Sequence, residues 1–143
     1  MAFDRTDGDR LSAAVKRVFL LVVWAAIVAA IVWCADHREL KHLLDAVKAV
    51  PGGDKAGHFV LVGGLAFLLN WTLRCREFWC AGRQWLLGSV IIVLIFTVDE
   101  VTQLWRPART FDLGDLGANY AGIWCFGWLA RRVVKREEAA RPR

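Results

Sequence analysis

Long apolar stretches alternate with short polar ones along this chain, and the alternation predicts helices of membrane-spanning length. Residues 18–35 carry no charge and follow Lys16-Arg17. At ~1.5 Å per residue such a run reaches ~27 Å, enough for a thin hydrocarbon core. It is long for a signal-peptide core and lacks a small-x-small cleavage site, which predicts an uncleaved span. Bulky Trp33 ahead of Cys34 argues against a lipobox. A second span is predicted over residues 57–73, with His58 in its first turn and Asn70 and Thr72 near its end. A third covers 85–105, uncharged until Asp99, and a fourth covers 112–130, with Asp115 and Asn119 in its opening turns. Between the first two spans, Leu40, Leu43, Leu44, Val47 and Val50 recur at helical spacing opposite Glu39, Lys41, His42, Asp45 and Lys48. This is the pattern of a short amphipathic helix on the outer membrane surface, ended by Pro51-Gly52-Gly53. The expected fold is therefore all-α, an integral membrane bundle of four transmembrane helices with that amphipathic segment between the first and second. Residues 1–17 form a cytoplasmic segment, 18–130 the membrane domain and 131–143 a frayed basic cytoplasmic tail.

Composition agrees with this segmentation. The chain has 143 residues, 57% of them hydrophobic, with a mean hydropathy of +0.37, above the usual soluble range. Its net charge of +5 lies beside apolar segments and not on one amphipathic face, so nucleic acid is not an expected partner. Thirteen lysines and arginines fall in the N-terminal stretch, the 74–83 loop and the tail, against six on the opposite side. The positive-inside rule then places both termini in the cytoplasm. Trp71, Trp79, Trp85 and Trp128 cluster near one set of segment ends, and Trp33 and Trp105 near the other, as interfacial belts would. The four cysteines form no disulfide or zinc framework. Cys34 and Cys125 sit in apolar runs, and Cys75 and Cys80 share a loop expected in the reducing cytoplasm.

With this topology the polar residues of three segments converge on the outer face. Asp54 and His58 are i, i+4, as are Asp99 and Gln103; Asp112, Asp115 and Asn119 are i, i+3, i+7. Each set shares one helix face. Ionisable groups at membrane depth cost about 3 kcal/mol each by insertion scales, so they gather around polar cavities and mark functional sites. His58 suits a general base or a metal ligand, or a histidine bonded to Asp54 or to a third-span carboxylate. Asp99 and Glu100 cannot point the same way, and spacing leaves open which faces inward. Asp112 can cap the fourth span, where Asp115 meets the positive end of the helix dipole. Arg109 would clamp these acids or bind an anion, and Lys55 would bind phosphate or extend to headgroups. Gln103 and Asn119 suit interhelical hydrogen bonds, while Gly114, Gly117, Ala118 and Gly122 allow close helix approach.

The same residues resemble the VanZ-like membrane proteins. The matching motifs are Asp54-Lys55-x-x-His58-Phe59, Asp99-Glu100-x-x-Gln103, and Pro107-x-Arg109-x-x-Asp112-x-x-Asp115-x-x-x-Asn119-x-x-Gly122. They cover about residues 50–127, with Ala108 in place of a usual glycine and Gly127 one position beyond the expected second glycine. The resemblance implies a small multi-pass protein of the bacterial inner membrane, from a family named after a member that lowers susceptibility to the glycopeptide teicoplanin. It implies no settled reaction.

Three functions fit these residues. The first is chemistry on an envelope lipid or lipid-linked cell-wall precursor, with membrane lipids as the immediate partners. His58, Asp99, Glu100 and Asp115 would be catalytic, and Lys55, Arg109, Asp112, Asn119, Gln103 and Asp54 would bind substrate. The carboxylates could also hold a divalent cation. The second is a non-enzymatic binder or remodeller of the precursor. The third is a proton-coupled carrier, which would need polar residues continuing to the inner side, whereas the sequence concentrates them in the outer half.

Overall fold

A computed structural model of the chain describes residues 5–37, 49–105 and 111–140, together with positions 42, 46 and 47. Among these residues the apolar runs form four long helices: α1 (Arg5–Asp36), α2 (Gly53–Thr72), α3 (Leu87–Thr102) and α4 (Leu113–Ala139). A 3-10 turn, Gln103–Trp105, continues α3. The amphipathic segment expected at 40–50 falls largely outside the described residues, and Arg106–Thr110, with Arg109, wholly so.

The all-α expectation needs one correction. Two antiparallel strands, β1 (Glu77–Cys80) and β2 (Arg83–Leu86), occupy the expected loop between α2 and α3. Cys80 pairs with Arg83, which leaves a two-residue turn of Ala81 and Gly82, both at positive φ. Such a turn matches the twist of a hairpin, and Phe78, Trp79 and Trp85 supply aromatic strand residues. The third helix therefore begins at Leu87, two residues later than expected.

The helix ends also move. Gly52, at φ 75°, turns the chain into α2, which starts one turn before the expected span. The frayed tail is corrected as well, because α4 runs unbroken to Ala139. Trp71 Nε1 donates to Glu137 at 2.6 Å, and Arg74 bonds both Glu137 and Glu138. Arg131 pairs with Glu77 of β1 at 2.9 Å. Residues of the expected tail are thus fixed to the end of α2 and to the hairpin.

α2 and α4 run parallel in close contact, start beside start at Lys55–Asp112 and close beside close at Trp71–Glu137. A Cβ at Gly122 would meet the Phe59 backbone carbonyl, and Gly63 faces the Phe126 ring. α1 lies against α2, where Trp24 Nε1 donates to the Leu61 carbonyl at 2.9 Å over the space left by Gly64. Val28, Val62, Ala66, Ile92, Phe96 and Ile123 form the apolar core between the four helices. Arg17 stands over the Trp71 ring at 5.5 Å, which brings the part of α1 just ahead of its apolar run to the same end as the close of α2.

Polarity is distributed inside out relative to a soluble domain. The largest fully buried side chains are Glu100, Asn70 and Asn119, while Phe19, Leu94, Leu113 and Trp124 are well exposed. Two stretches, Leu11–Ala35 and Leu87–Trp105, are long and apolar enough to cross a membrane. Only 6% of the α1 stretch is buried against the rest of the chain, so its apolar surface calls for an apolar solvent.

Candidate functional site

At the end of the bundle where α2 begins, α3 closes and α4 starts, the sequence-selected polar residues meet. Asp112 precedes α4 with extended backbone, and its Oδ1 accepts from the Gly114 amide at 2.6 Å, the N-cap its position suggested. Lys55 reaches across from α2 and donates to Asp112 Oδ2 at 2.8 Å and to Asp115 Oδ1 at 3.0 Å. Gly114 gives the lysine room, since a Cβ there would stand 2.6 Å from Nζ. Both residues lie at the mouth, ahead of the apolar runs of their helices. The hydrogen bond to Asp112, then that to Asp115, holds the Lys55 ammonium well above the ordinary lysine range. The lysine bond and the Gly114 amide hold the Asp112 carboxyl below its ordinary value.

His58 lies one helical turn deeper. Its Nδ1 bonds Asn119 Oδ1 at 3.1 Å, and since an amide oxygen accepts, Nδ1 carries the hydrogen. Nε2 faces Asp115 Oδ2 at 3.7 Å and Asp54 Oδ1 at 4.0 Å. The partners of the histidine are thus Asp54 and two residues of α4, not a carboxylate of α3. Asn119 is 1% exposed and fulfils the expected interhelical hydrogen bond.

The choice left open between Asp99 and Glu100 is resolved by burial. Glu100 is 2% exposed; its Oε1 accepts from the Asp112 amide at 3.0 Å and its Oε2 from Gln103 Nε2 at 2.9 Å. Asp99 is half-buried on the neighbouring face. The spacing paired Gln103 with Asp99, but the chain tightens into a 3-10 turn at Gln103 and brings its amide to Glu100 instead. Glu100 thereby joins the end of α3 to the start of α4. Among the small residues of α4, Gly114 and Gly122 meet α2 closely, whereas Gly117 has open space around it.

Sequence reasoning missed a second polar pair at the opposite end. Asn70, fully buried, donates to Ser89 Oγ at 2.9 Å and to the Ala66 carbonyl at 2.9 Å, against Gly88 of α3. The signal was Asn70 and the Gly88-Ser89 pair in otherwise apolar runs. Polar residues therefore do not stop in one half of the bundle, but the apolar core at Val62, Ala66, Ile92, Phe96 and Ile123 lies between the two groups.

Chemically, the described residues of the mouth bring together the His58 imidazole, the carboxylates of Asp54, Asp112 and Asp115, and the Lys55 ammonium bonded to the last two. Asp54, His58 and Asp115 bring three ligand-type atoms within 4.8 Å of one another.

A family model described as VanZ/LLP1 matches residues 3–135. The chain belongs to the VanZ/LLP1 family. The match extends beyond the motif-bearing region on both sides and takes in α1 and most of α4, including the first residues, 131–135, of the stretch expected to be tail. No curated protein and no solved structure matches the chain.

Proposed function

We propose that this VanZ/LLP1 protein is a four-span protein of the bacterial inner membrane. Its polar mouth opens on the outer face and acts on the phosphate-bearing head of an envelope lipid or lipid-linked cell-wall precursor. The observation that carries this reading is the convergence of Asp54, Lys55, His58, Glu100, Asp112, Asp115 and Asn119 at one end of a bundle whose exterior is apolar. Ionisable residues held inside such a bundle are retained for what they bind or transfer.

In this reading His58 and Asp115 form the reactive pair, and Asn119 fixes the ring. Asp54 completes the cluster, and Glu100 with Gln103 shapes the mouth by holding the start of α4. Lys55 and Arg109 supply positive charge for a phosphate. Lys55 would exchange a carboxylate partner for the substrate, which the 47% exposure of its side chain permits. The family's name supports a link to teicoplanin susceptibility through the same precursor.

Carrier function is disfavoured by the apolar core between the mouth and the Asn70–Ser89 pair. A relay needs polar groups within reach of one another along its path.

The test is a lipid-extract profile of cells expressing the wild-type protein or His58→Ala at equal membrane levels. A lipid or precursor species should accumulate or disappear with the wild type and not with the variant. Identical profiles would remove the lipid-chemistry reading and leave precursor binding without turnover.

A further inference from the structure

The space between His58, Asp54 and Asp115 has a feature that the ion pairs at the mouth do not explain. His58 Nδ1 is committed to Asn119, so Nε2 is the ring nitrogen that faces Asp115 Oδ2 and Asp54 Oδ1. At 3.7 and 4.0 Å neither separation is a hydrogen bond. Nε2 and the two carboxylate oxygens thus face one another across a gap that no hydrogen bond between them closes, three ligand-type atoms within 4.8 Å of one another.

Charge points the same way. Among the described residues Lys55 is one cation shared by Asp112 and Asp115, and Asp54 adds a third carboxylate, an excess of two acids over the lysine. One divalent cation would neutralise them. Asp115 is already oriented for this role, because Lys55 holds its Oδ1 and leaves Oδ2 towards the histidine. A buried group bonded to the far nitrogen of a histidine fixes the ring and its tautomer, as the outer shell does in metal sites. Asn119, 1% exposed, occupies that position.

We infer that Asp54, His58 and Asp115 bind a single first-row divalent cation of the zinc type at the mouth of the bundle. An imidazole nitrogen among the ligands favours zinc over magnesium or calcium, whose sites are built from oxygen alone. Donors about a tetrahedral ion with bonds of ~2.0 Å lie about 3.3 Å apart. The observed separations therefore close by a small carboxylate rotation. Three protein ligands leave a fourth position facing the mouth, as catalytic zinc sites do, where a phosphate oxygen or a water could bind. The inference uses the same pocket as the proposed function but does not depend on a lipid substrate.

The experiment uses the full chain purified in detergent, free of any affinity tag, with Cys34, Cys75, Cys80 and Cys125 changed to Ser so that thiols cannot bind zinc. After dialysis against a chelator, Zn2+ is titrated calorimetrically, with Mn2+ and Mg2+ in parallel and thermal unfolding followed at each end point. One Zn2+ per chain is expected, with binding at least about tenfold tighter than for Mg2+. His58→Ala and Asp115→Asn should abolish it, and Asn119→Ala should weaken it about 10–100-fold. His37→Ala should leave it unchanged. Asp54 is only half-buried, so Asp54→Asn should fold normally yet lose the zinc-induced rise in Tm. Absence of saturable binding, equal affinity for Mg2+, or undiminished zinc binding by a folded Asp54→Asn variant would each overturn the assignment. Zinc binding together with an unchanged lipid profile for His58→Ala would retain the metal site and remove the lipid chemistry alone.

Discussion

Gly122 and Glu100 show how single residues set the pocket. A Cβ at Gly122 would strike the Phe59 backbone carbonyl, which cannot rotate aside as a side chain could. Gly122→Ala should therefore push α4 from α2 and strain the His58–Asn119 bond one turn away, at a cost of about 1–3 kcal/mol. Thermal unfolding in detergent would register the loss, and Gly117→Ala, with nothing near its position, should match the wild type. Glu100 holds the Asp112 amide and the Gln103 amide group with its two oxygens. Glu100→Ala leaves both donors unpaired in a buried place, a loss of about 1–3 kcal/mol per group, whereas Glu100→Gln keeps an acceptor and should be milder. Equal Tm values for these two variants would show that the bonds to Asp112 and Gln103 do not matter. The sequence placed both acids of the Asp99-Glu100 pair near the site but could not choose between them. That choice depends on where the α4 amide returns to α3, a tertiary fact that periodicity does not carry. The same limit applies to His58: i, i+4 spacing linked it to Asp54, but Asn119 lies 61 residues away.

At the level of elements, the helices were legible and their junctions were not. The apolar runs located each helix, but α1 begins at Arg5, 13 residues before the expected span, and α4 continues to Ala139, nine residues beyond it. The hairpin escaped because four-residue strands are too short for period-two patterning to stand out, and Ala81-Gly82 is not a favoured turn pair. The C-terminal end of α4 was read as a solvated tail because its charges, Arg131, Arg132, Lys135, Arg136, Glu137 and Glu138, look like a surface run. Their partners lie in other elements: Glu137 with Trp71 and Arg74, Glu138 with Arg74, and Arg131 with Glu77. A chain ending after Arg136 would lose the acids that hold Arg74 and Trp71. These partly exposed pairs are worth about 1 kcal/mol or less each, so the bundle should stay folded. The hairpin, tied to α4 through Arg131 and to α2 through the Arg74 turn, should loosen and be cut faster by protease within residues 77–86. Equal cleavage rates for the full and shortened chains would show that the network does not restrain the hairpin.

Across the whole molecule, two arrangements must agree if the bundle spans a membrane: which ends of the helices lie together, and which end carries the excess of basic residues. The first is fixed by contacts. Arg17 just ahead of the apolar run of α1, Trp71 and Arg74 at the close of α2, Ser89 at the start of α3 and Glu137 at the close of α4 share one end. His58, Glu100 and Asp115 share the other. The second comes from charge, since the basic N-terminal stretch, the 74–83 loop and the C-terminal residues all belong to the Arg17–Glu137 end. Packing gathers these basic stretches at one end, and under the proposed membrane topology the positive-inside rule would make that end cytoplasmic. A cysteine placed at Arg136 in a background without native cysteines should therefore resist a membrane-impermeant thiol reagent in intact cells and react after permeabilisation. One placed at Gly57, beside the mouth, should react in intact cells. Arg136 was chosen because its side chain is exposed in the bundle itself, so protection there would reflect the membrane and not burial by protein. Labelling of the Arg136 position from outside would invert the topology. The mouth, with its histidine and paired carboxylates, would then face the cytoplasm, and an outer-leaflet precursor could no longer be its substrate.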